Sequence, residues 1–215
     1  MNPAIETKEL CYAYEDGTTA LDHITLSAGR GRITGILGAN GAGKSTLFLN
    51  LNGVFTPKSG QVLLDGQPVK YDRKGLAALR RRVGIVFQDP DDQLFSADVY
   101  RDVSFGGVNL GLEPEEVRRR VEGALERTGT SALRDRPTHA LSYGQKKRVA
   151  IAGVLVMEPE VLILDEPTAG LDPQGVTEIM RLLVQLRDSL GMTILIATHD
   201  MDIVPLYCDY AYLLG

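Results

Sequence analysis

Tryptophan is absent from the 215-residue chain, and aromatic residues make up only 6% of it. Stacking platforms for bases or sugars are therefore scarce. There is no basic excess either: 23 Lys and Arg stand against 28 Asp and Glu, for a net charge of −5. A nucleic-acid binder needs a basic face, so nucleic acid is not expected as a partner. Long apolar runs are missing as well. The longest, Val149 to Met157, is stopped by Glu158 and Pro159, far short of the ~18 residues that a membrane span needs. The first ten residues, MNPAIETKEL, contain no apolar signal region, so the expected compartment is the cytoplasm. Cysteine occurs only at Cys11 and Cys208, and histidine only at His23, His139 and His199. None stands in metal-ligand spacing, which argues against a disulfide scaffold and a structural zinc site. The cysteines read as reduced thiols in or near a core, and His23 and His139 as structural residues.

Apolar residues make up 44% of the chain, enough for one sizeable core. Residues 4 to 26 read as short strands around a turn at Glu15-Asp16-Gly17. Apolar segments at Arg32 to Leu37, Val83 to Phe87, Val161 to Leu164 and Thr193 to Ala197 read as buried strands, and Val62 to Leu64 as a strand entering a tight turn. Helices are expected over Lys44 to Asn52, Pro114 to Arg127, Gln145 to Met157 and Pro173 to Leu190. In the third-named pattern the apolar residues follow a basic first turn; in the last, Val176, Ile179, Met180, Leu183 and Leu190 form one stripe. Strands that are apolar throughout and alternate with helices predict an α/β fold with a parallel sheet buried on both faces. The segment from about Asp89 to about Pro159 reads as a helical lobe inserted between two of its strands.

The stretch GANGAGKST, Gly38 to Thr46, fits G-x-x-x-x-G-K-[ST] between a strand and a helix. Its glycines (Gly38, Gly41, Gly43), with Ala39, Asn40 and Ala42 between them, let successive N–H groups turn toward phosphate oxygens, and the helix N-terminus adds positive potential. Lys44 can reach the β- and γ-phosphates, and Ser45 can put its hydroxyl on Mg²⁺. A second element, VLILDE, places Asp165 at the carboxyl end of a buried strand, where parallel sheets bind ligands. Asp165 suits Mg²⁺, and Glu166 suits proton abstraction from an attacking water.

LSYGQ, Leu141 to Gln145, taken with Gln88, Asp172 and His199, resembles the signature set of the ATP-binding-cassette (ABC) ATPases, and the resemblance covers essentially the whole chain. It implies a P-loop NTPase: a RecA-like core at about 1–88 and 160–215, an N-terminal antiparallel β-subdomain, and a helical signature lobe at about 89–159, all in one domain. It also implies roles. Tyr14 would stack on adenine, Gln88 would touch Mg²⁺ and the attacking water, Ala169 to Asp172 would form the D-loop, and His199 would be the switch histidine. Ser142, Gly144 and Gln145 would cap the γ-phosphate held by a second copy, so that two chains sandwich two ATP molecules. The signature departs from the commoner glycine at Tyr143.

KGLAALRRRVGIVFQDPDDQLF, Lys74 to Phe95, is similar to the ATPases of energy-coupling-factor (ECF) importers, and within them to the cobalt branch. Asp89, Asp91, Asp92, Asp98 and Asp102, interleaved with Leu94, Phe95, Val99, Val103 and Phe105, read as a groove with an apolar floor and an acidic rim. The expected protein is an ATP hydrolase on the cytoplasmic face of the membrane. It would pair as a homodimer or with a related ATPase, and dock on an integral membrane coupling subunit joined to a substrate-binding subunit. Cobalt is the expected cargo, with nickel or another nutrient as the alternative. A non-transport cassette and a P-loop kinase are the rival classes. The ECF resemblance also implies a C-terminal extension, which the sequence ending at Gly215 does not include.

Overall fold

A computed structural model describes residues 3–215. The chain opens with two long antiparallel strands, β1 (Pro3–Ala13) and β2 (Thr19–Gly29), joined by the expected turn. They are longer than the short strands read from the sequence, because bulges carry the pairing past local irregularities. Glu9 and His23 take positive φ at those breaks (48° and 50°). Next come β3 (Ile33–Leu37), α1 (Lys44–Leu51), β4 (Ser59–Leu64), β5 (Gln67–Pro68), α2 (Arg73–Arg82) and β6 (Val83–Val86). Helices α3 (Val99–Asn109), α4 (Pro114–Arg127) and α5 (Tyr143–Leu155) follow, and the chain then returns to β7 (Val161–Asp165), α6 (Pro173–Leu190), β8 (Thr193–Thr198), α7 (Val204–Tyr207) and β9 (Tyr210–Leu213).

Two sheets result. The antiparallel one runs β2-β1-β4-β5, and the parallel one β6-β7-β8-β3-β9. Alternation along the parallel strands divides the core. Leu162, Leu164, Ile194 and Ile196 point to the face covered by residues of α3 to α6. Val161, Ile163, Leu195 and Ala197 point to the opposite face, against Leu47, Phe48 and Leu51 of α1 and the apolar side of β1, β2 and β4. Burying each such side chain fully stabilises the fold by about 1.5–3 kcal/mol before chain entropy is counted. Helices α3, α4 and α5 enter between β6 and β7 and pack on one another through Val103, Val121 and Ile151.

Several local readings change. The helix expected from Gln145 begins at Tyr143, because Ser142 and Gln145 cap each other: the Gln145 N–H donates to Ser142 Oγ (3.3 Å) and the Ser142 N–H to Gln145 Oε1 (3.0 Å). In α6, Leu190 is 44% exposed at the helix end, and Leu182 and Leu186 complete the buried stripe instead. Helices α2, α3 and α7 and strands β5 and β9 are additions to the elements read from the sequence. Basic-rich α2 and the short α7 and β9 offer little apolar periodicity to read.

Candidate active site

The carboxyl ends of β3 and β7 are neighbours of β8 in the parallel sheet, which brings the two phosphate-site motifs together. Between β3 and α1 the chain turns through Gly41 (φ 86°) and Gly43 (φ 89°). A Cβ on Gly43 would lie 2.4 Å from the Ala20 carbonyl oxygen, so only glycine fits there. The turn delivers Lys44, Ser45 and Thr46 to the first turn of α1.

Lys44 is buried, and its ammonium donates to the carbonyl oxygens of Gly38 (2.7 Å) and Ala39 (3.1 Å) while standing 3.6 Å from Glu166 Oε1. The other carboxylate oxygen of Glu166 lies 3.0 Å from His199 Nδ1. Glu166 therefore links the P-loop lysine, Lys44, to the histidine that follows β8. Its backbone takes φ 44°, an unusual conformation for a residue with a side chain. That bend turns the carboxylate off the strand line set by Asp165.

Asp165 is buried, and its Oδ1 has no hydrogen-bond partner. Burial raises its pKa, as does the Glu166 charge, against the lowering effect of the Ser45 hydroxyl and the Lys44 and Lys147 ammoniums. An unpartnered buried carboxylate oxygen beside a serine hydroxyl, with the Gln88 amide on the same cavity, is a hard-oxygen donor set that fits Mg²⁺.

A cavity of about 470 Å³ collects most of the expected residues: Tyr14, Asn40, Gly41, Gly43, Lys44, Ser45, Thr46, Gln88, Asp165 and Glu166. Gly38 and Ala39 lie behind it as acceptors for Lys44. The Tyr14 ring is 40% exposed, its hydroxyl is 2.6 Å from Thr46 Oγ1, and it meets Tyr12 edge-on at 5.4 Å. Thr18, Thr19 and Ala20 also line this cavity, which their positions in a turn-flanking strand did not reveal. Ser142, Gly144, Gln145 and Asp172 do not line it. Ser142 is exposed at the N-cap of α5, and Asp172 caps α6 by accepting from the Gly175 N–H (2.7 Å).

Lys147 escaped the sequence reading, which placed it in a basic first turn. It is 4% exposed; its ammonium donates to the backbone carbonyls of Gln88 (3.0 Å) and Glu166 (3.2 Å). Burial pushes its pKa down to about 8, against the raising pull of Asp89, Glu166 and Asp165. Its spacing from Ala150 and Ile151 on the buried side of α5 was the available signal.

The acidic rim needs correction in part, at Asp98 and Asp102. Asp102 is buried and accepts from the N–H groups of Phe95 (2.9 Å) and Ser96 (2.7 Å); Asp91 pairs with Lys146 (2.6 Å); Asp98 caps α3. Val99 and Val103 are core residues. Asp89, Asp91 and Asp92 remain exposed, and beside them in sequence stand the exposed rings of Phe95 (66% exposed) and Phe105 (47%), edge to face at 4.7 Å, with Val108 nearby in sequence on α3. Both cysteines are free and half-buried. Strand pairing sets Cys11 beside Asp22 and His23, with donor atoms within 4.8 Å of one another on an open face. His139 is exposed.

A P-loop joined to a buried Asp-Glu strand end and a capped signature helix defines a nucleotide-hydrolysing cassette, and comparison with known proteins agrees. A family model described as ABC transporter matches residues 21–169, and the chain belongs to that family. It is 63% identical to the energy-coupling factor transporter ATP-binding protein EcfA3 of Clostridium perfringens, over 98% of this chain and 74% of that one. Its fold superposes on cbiO1 of Clostridium perfringens, described as part of the ABC transporter complex cbiONQ, with TM-score 0.93 and 61% identity, covering 100% of this chain and 86% of that one. It also matches the cassette MJ0796 in a dimeric post-hydrolysis state bound to ADP and Pi, with TM-score 0.87 and 27% identity over 98% and 94% of the two chains. The protein is thus an ATP hydrolase and the ATP-binding subunit of an ECF-type transporter. Among the described residues no helix is long and apolar enough to cross a membrane.

Proposed function

We propose that this chain drives uptake of cobalt ions, working as a homodimer docked on the cytoplasmic side of integral membrane subunits. The observation that carries this reading is the likeness to a subunit of the cbiONQ complex at 61% identity over the whole chain. The segment Lys74 to Phe95, similar to the cobalt branch of ECF ATPases, adds the cargo. The exposed Phe95–Phe105 pair supplies an apolar landing place for a helix of a membrane subunit.

The chemistry follows from the cavity. ATP enters with its adenine against Tyr14 and its phosphates along the N–H groups of Gly41 to Thr46. Lys44 exchanges the Gly38 and Ala39 carbonyls for phosphate oxygens. Ser45, Asp165 and Gln88 would hold Mg²⁺, which when bound offsets phosphate charge. Glu166 accepts the proton of a water attacking the γ-phosphorus, the bond to the β–γ bridging oxygen breaks, and ADP and phosphate form. His199 holds the Glu166 carboxylate at its Oε2. Ser142, Gly144, Gln145 and Asp172 stand outside their own chain's cavity, which suits residues that close over a partner's ATP. Closure on ATP and reopening after hydrolysis then move the membrane subunits.

The test is ATP-dependent uptake of Co²⁺ into vesicles holding this chain and its membrane subunits. Glu166→Gln should lower uptake by about 10²–10⁴-fold, the usual contribution of a positioned general base. Uptake at the parent rate would overturn the role of Glu166, and Ni²⁺ carried in preference to Co²⁺ would reassign the cargo.

A further inference from the structure

We propose that Lys147 is a positioning residue that links the two ATP sites of a dimer, because it hangs Gln88 and Glu166 of its own site on the helix whose N-terminus closes the partner's. The inference deepens the sandwich reading above and rests on it.

Lys147 lies five residues beyond Ser142, about 7.5 Å along α5 at 1.5 Å per residue. Its surroundings leave it almost no solvent. A buried ammonium must satisfy its N–H donors inside the protein. Lys147 does so on the carbonyl oxygens of Gln88 and Glu166, with the Tyr143 ring centroid 5.3 Å from its nitrogen. Its hydrogen-bond partners are backbone atoms of two catalytic segments, not a carboxylate.

Each grip falls where position matters. At Glu166 the backbone holds φ 44°, a conformation that persists only when its surroundings determine it. Three bonds do so. The Glu166 N–H donates to the Ala197 carbonyl (3.0 Å), and its own carbonyl accepts from the Ala169 N–H (3.1 Å) and from Lys147 (3.2 Å). Only the Lys147 bond comes from the helical lobe. At Gln88 the neighbouring chain is tied to the same helix. The Gln93 amide donates to the Ala150 carbonyl (3.1 Å) while accepting from the Phe87 N–H (3.1 Å), and Lys146 pairs with Asp91. The segment after β6 therefore moves with α5. A shift of α5 as its N-terminus meets the partner's phosphate reaches the Glu166 carbonyl directly through the Lys147 bond. Occupancy of one site then sets the geometry of the carboxylate in the other, which is a coupling between sites.

The experiment compares the full chain with Lys147→Met, Lys147→Gln and Lys147→Arg. Read-outs are ATP affinity, the ATP dependence of hydrolysis, melting temperature, and ATP-dependent pairing of each on a Glu166→Gln background. Lys147→Met should keep ATP affinity within about twofold and should still pair, while hydrolysis falls about 10- to 100-fold and its Hill coefficient drops toward about 1. Lys147→Arg, which keeps the donors and the charge, should restore both. If Lys147→Met does not fold, Lys147→Gln, with donors on a shorter stem, should show the same loss in milder form. Unchanged rate and cooperativity in a folded Lys147→Met or Lys147→Gln chain would overturn the link. A rate loss with unchanged cooperativity would also overturn it, leaving Lys147 a support of its own site. A Glu166→Gln chain that never pairs with ATP would overturn the sandwich and the link with it.

Discussion

Asp165 shows at one residue what the site costs the fold. Its raised pKa means that the protonated form suits the folded chain better than the ionised form. The stabilisation is therefore present below the ordinary carboxylate range and fades as pH climbs through the raised value. Burial, with Oδ1 left unpartnered, disfavours the charged form of this carboxyl. Asp165→Asn should accordingly raise stability by about 1 kcal/mol, or about 2–4 °C in Tm for a chain of this size, while abolishing hydrolysis. A melting curve beside an ATPase assay checks both, and a lowered Tm would contradict the burial argument. That Lys44, Ser45, Asp165 and Glu166 would share one cavity was legible in the sequence, because a P-loop and a strand-end acidic pair are marked by fixed residue types at fixed spacing. Lys147 was not, because its partners lie 59 and 19 positions away and are backbone atoms that no residue type announces.

Among the elements, α3 carries a device that charge patterning concealed. An acidic residue in a run of aspartates reads as solvated rim, yet Asp102 turns inward and accepts two backbone N–H groups, from Phe95 and Ser96. Asp102→Ala would leave those donors unsatisfied in a buried setting, at a cost of about 2–3 kcal/mol. Denaturant unfolding should show the loss, and transport should fall as the Phe95 loop loses its anchor; an unchanged unfolding midpoint would refute the assignment. The start of α5 was misplaced by two residues for a related reason. The capping box at Ser142 and Gln145 satisfies backbone groups through reciprocal side-chain bonds, which local hydrophobicity does not register.

For the whole molecule, the parallel sheet has one end that carries the proposed nucleotide cavity, and the inserted helices have one surface where aromatic rings are exposed. Separating these duties predicts separable mutants. Phe95→Ser combined with Phe105→Ser should abolish co-purification with the membrane subunits and ATP-driven uptake. The isolated chain should keep its ATPase rate, because neither ring lines the nucleotide cavity. Retained co-purification would show that the membrane subunits dock elsewhere.

The sequence by itself determined the class of fold, the P-loop and the strand-end carboxylates, since apolar periodicity and phosphate chemistry are written in residues close together along the chain. Tertiary structure alone decided which aspartates face the solvent, that Glu166 stands between Lys44 and His199, and that Lys147 fastens α5 to the chain leaving β7. Those facts depend on which segments, distant in sequence, are packed so tightly that water is excluded and each polar group must find its partner in the protein.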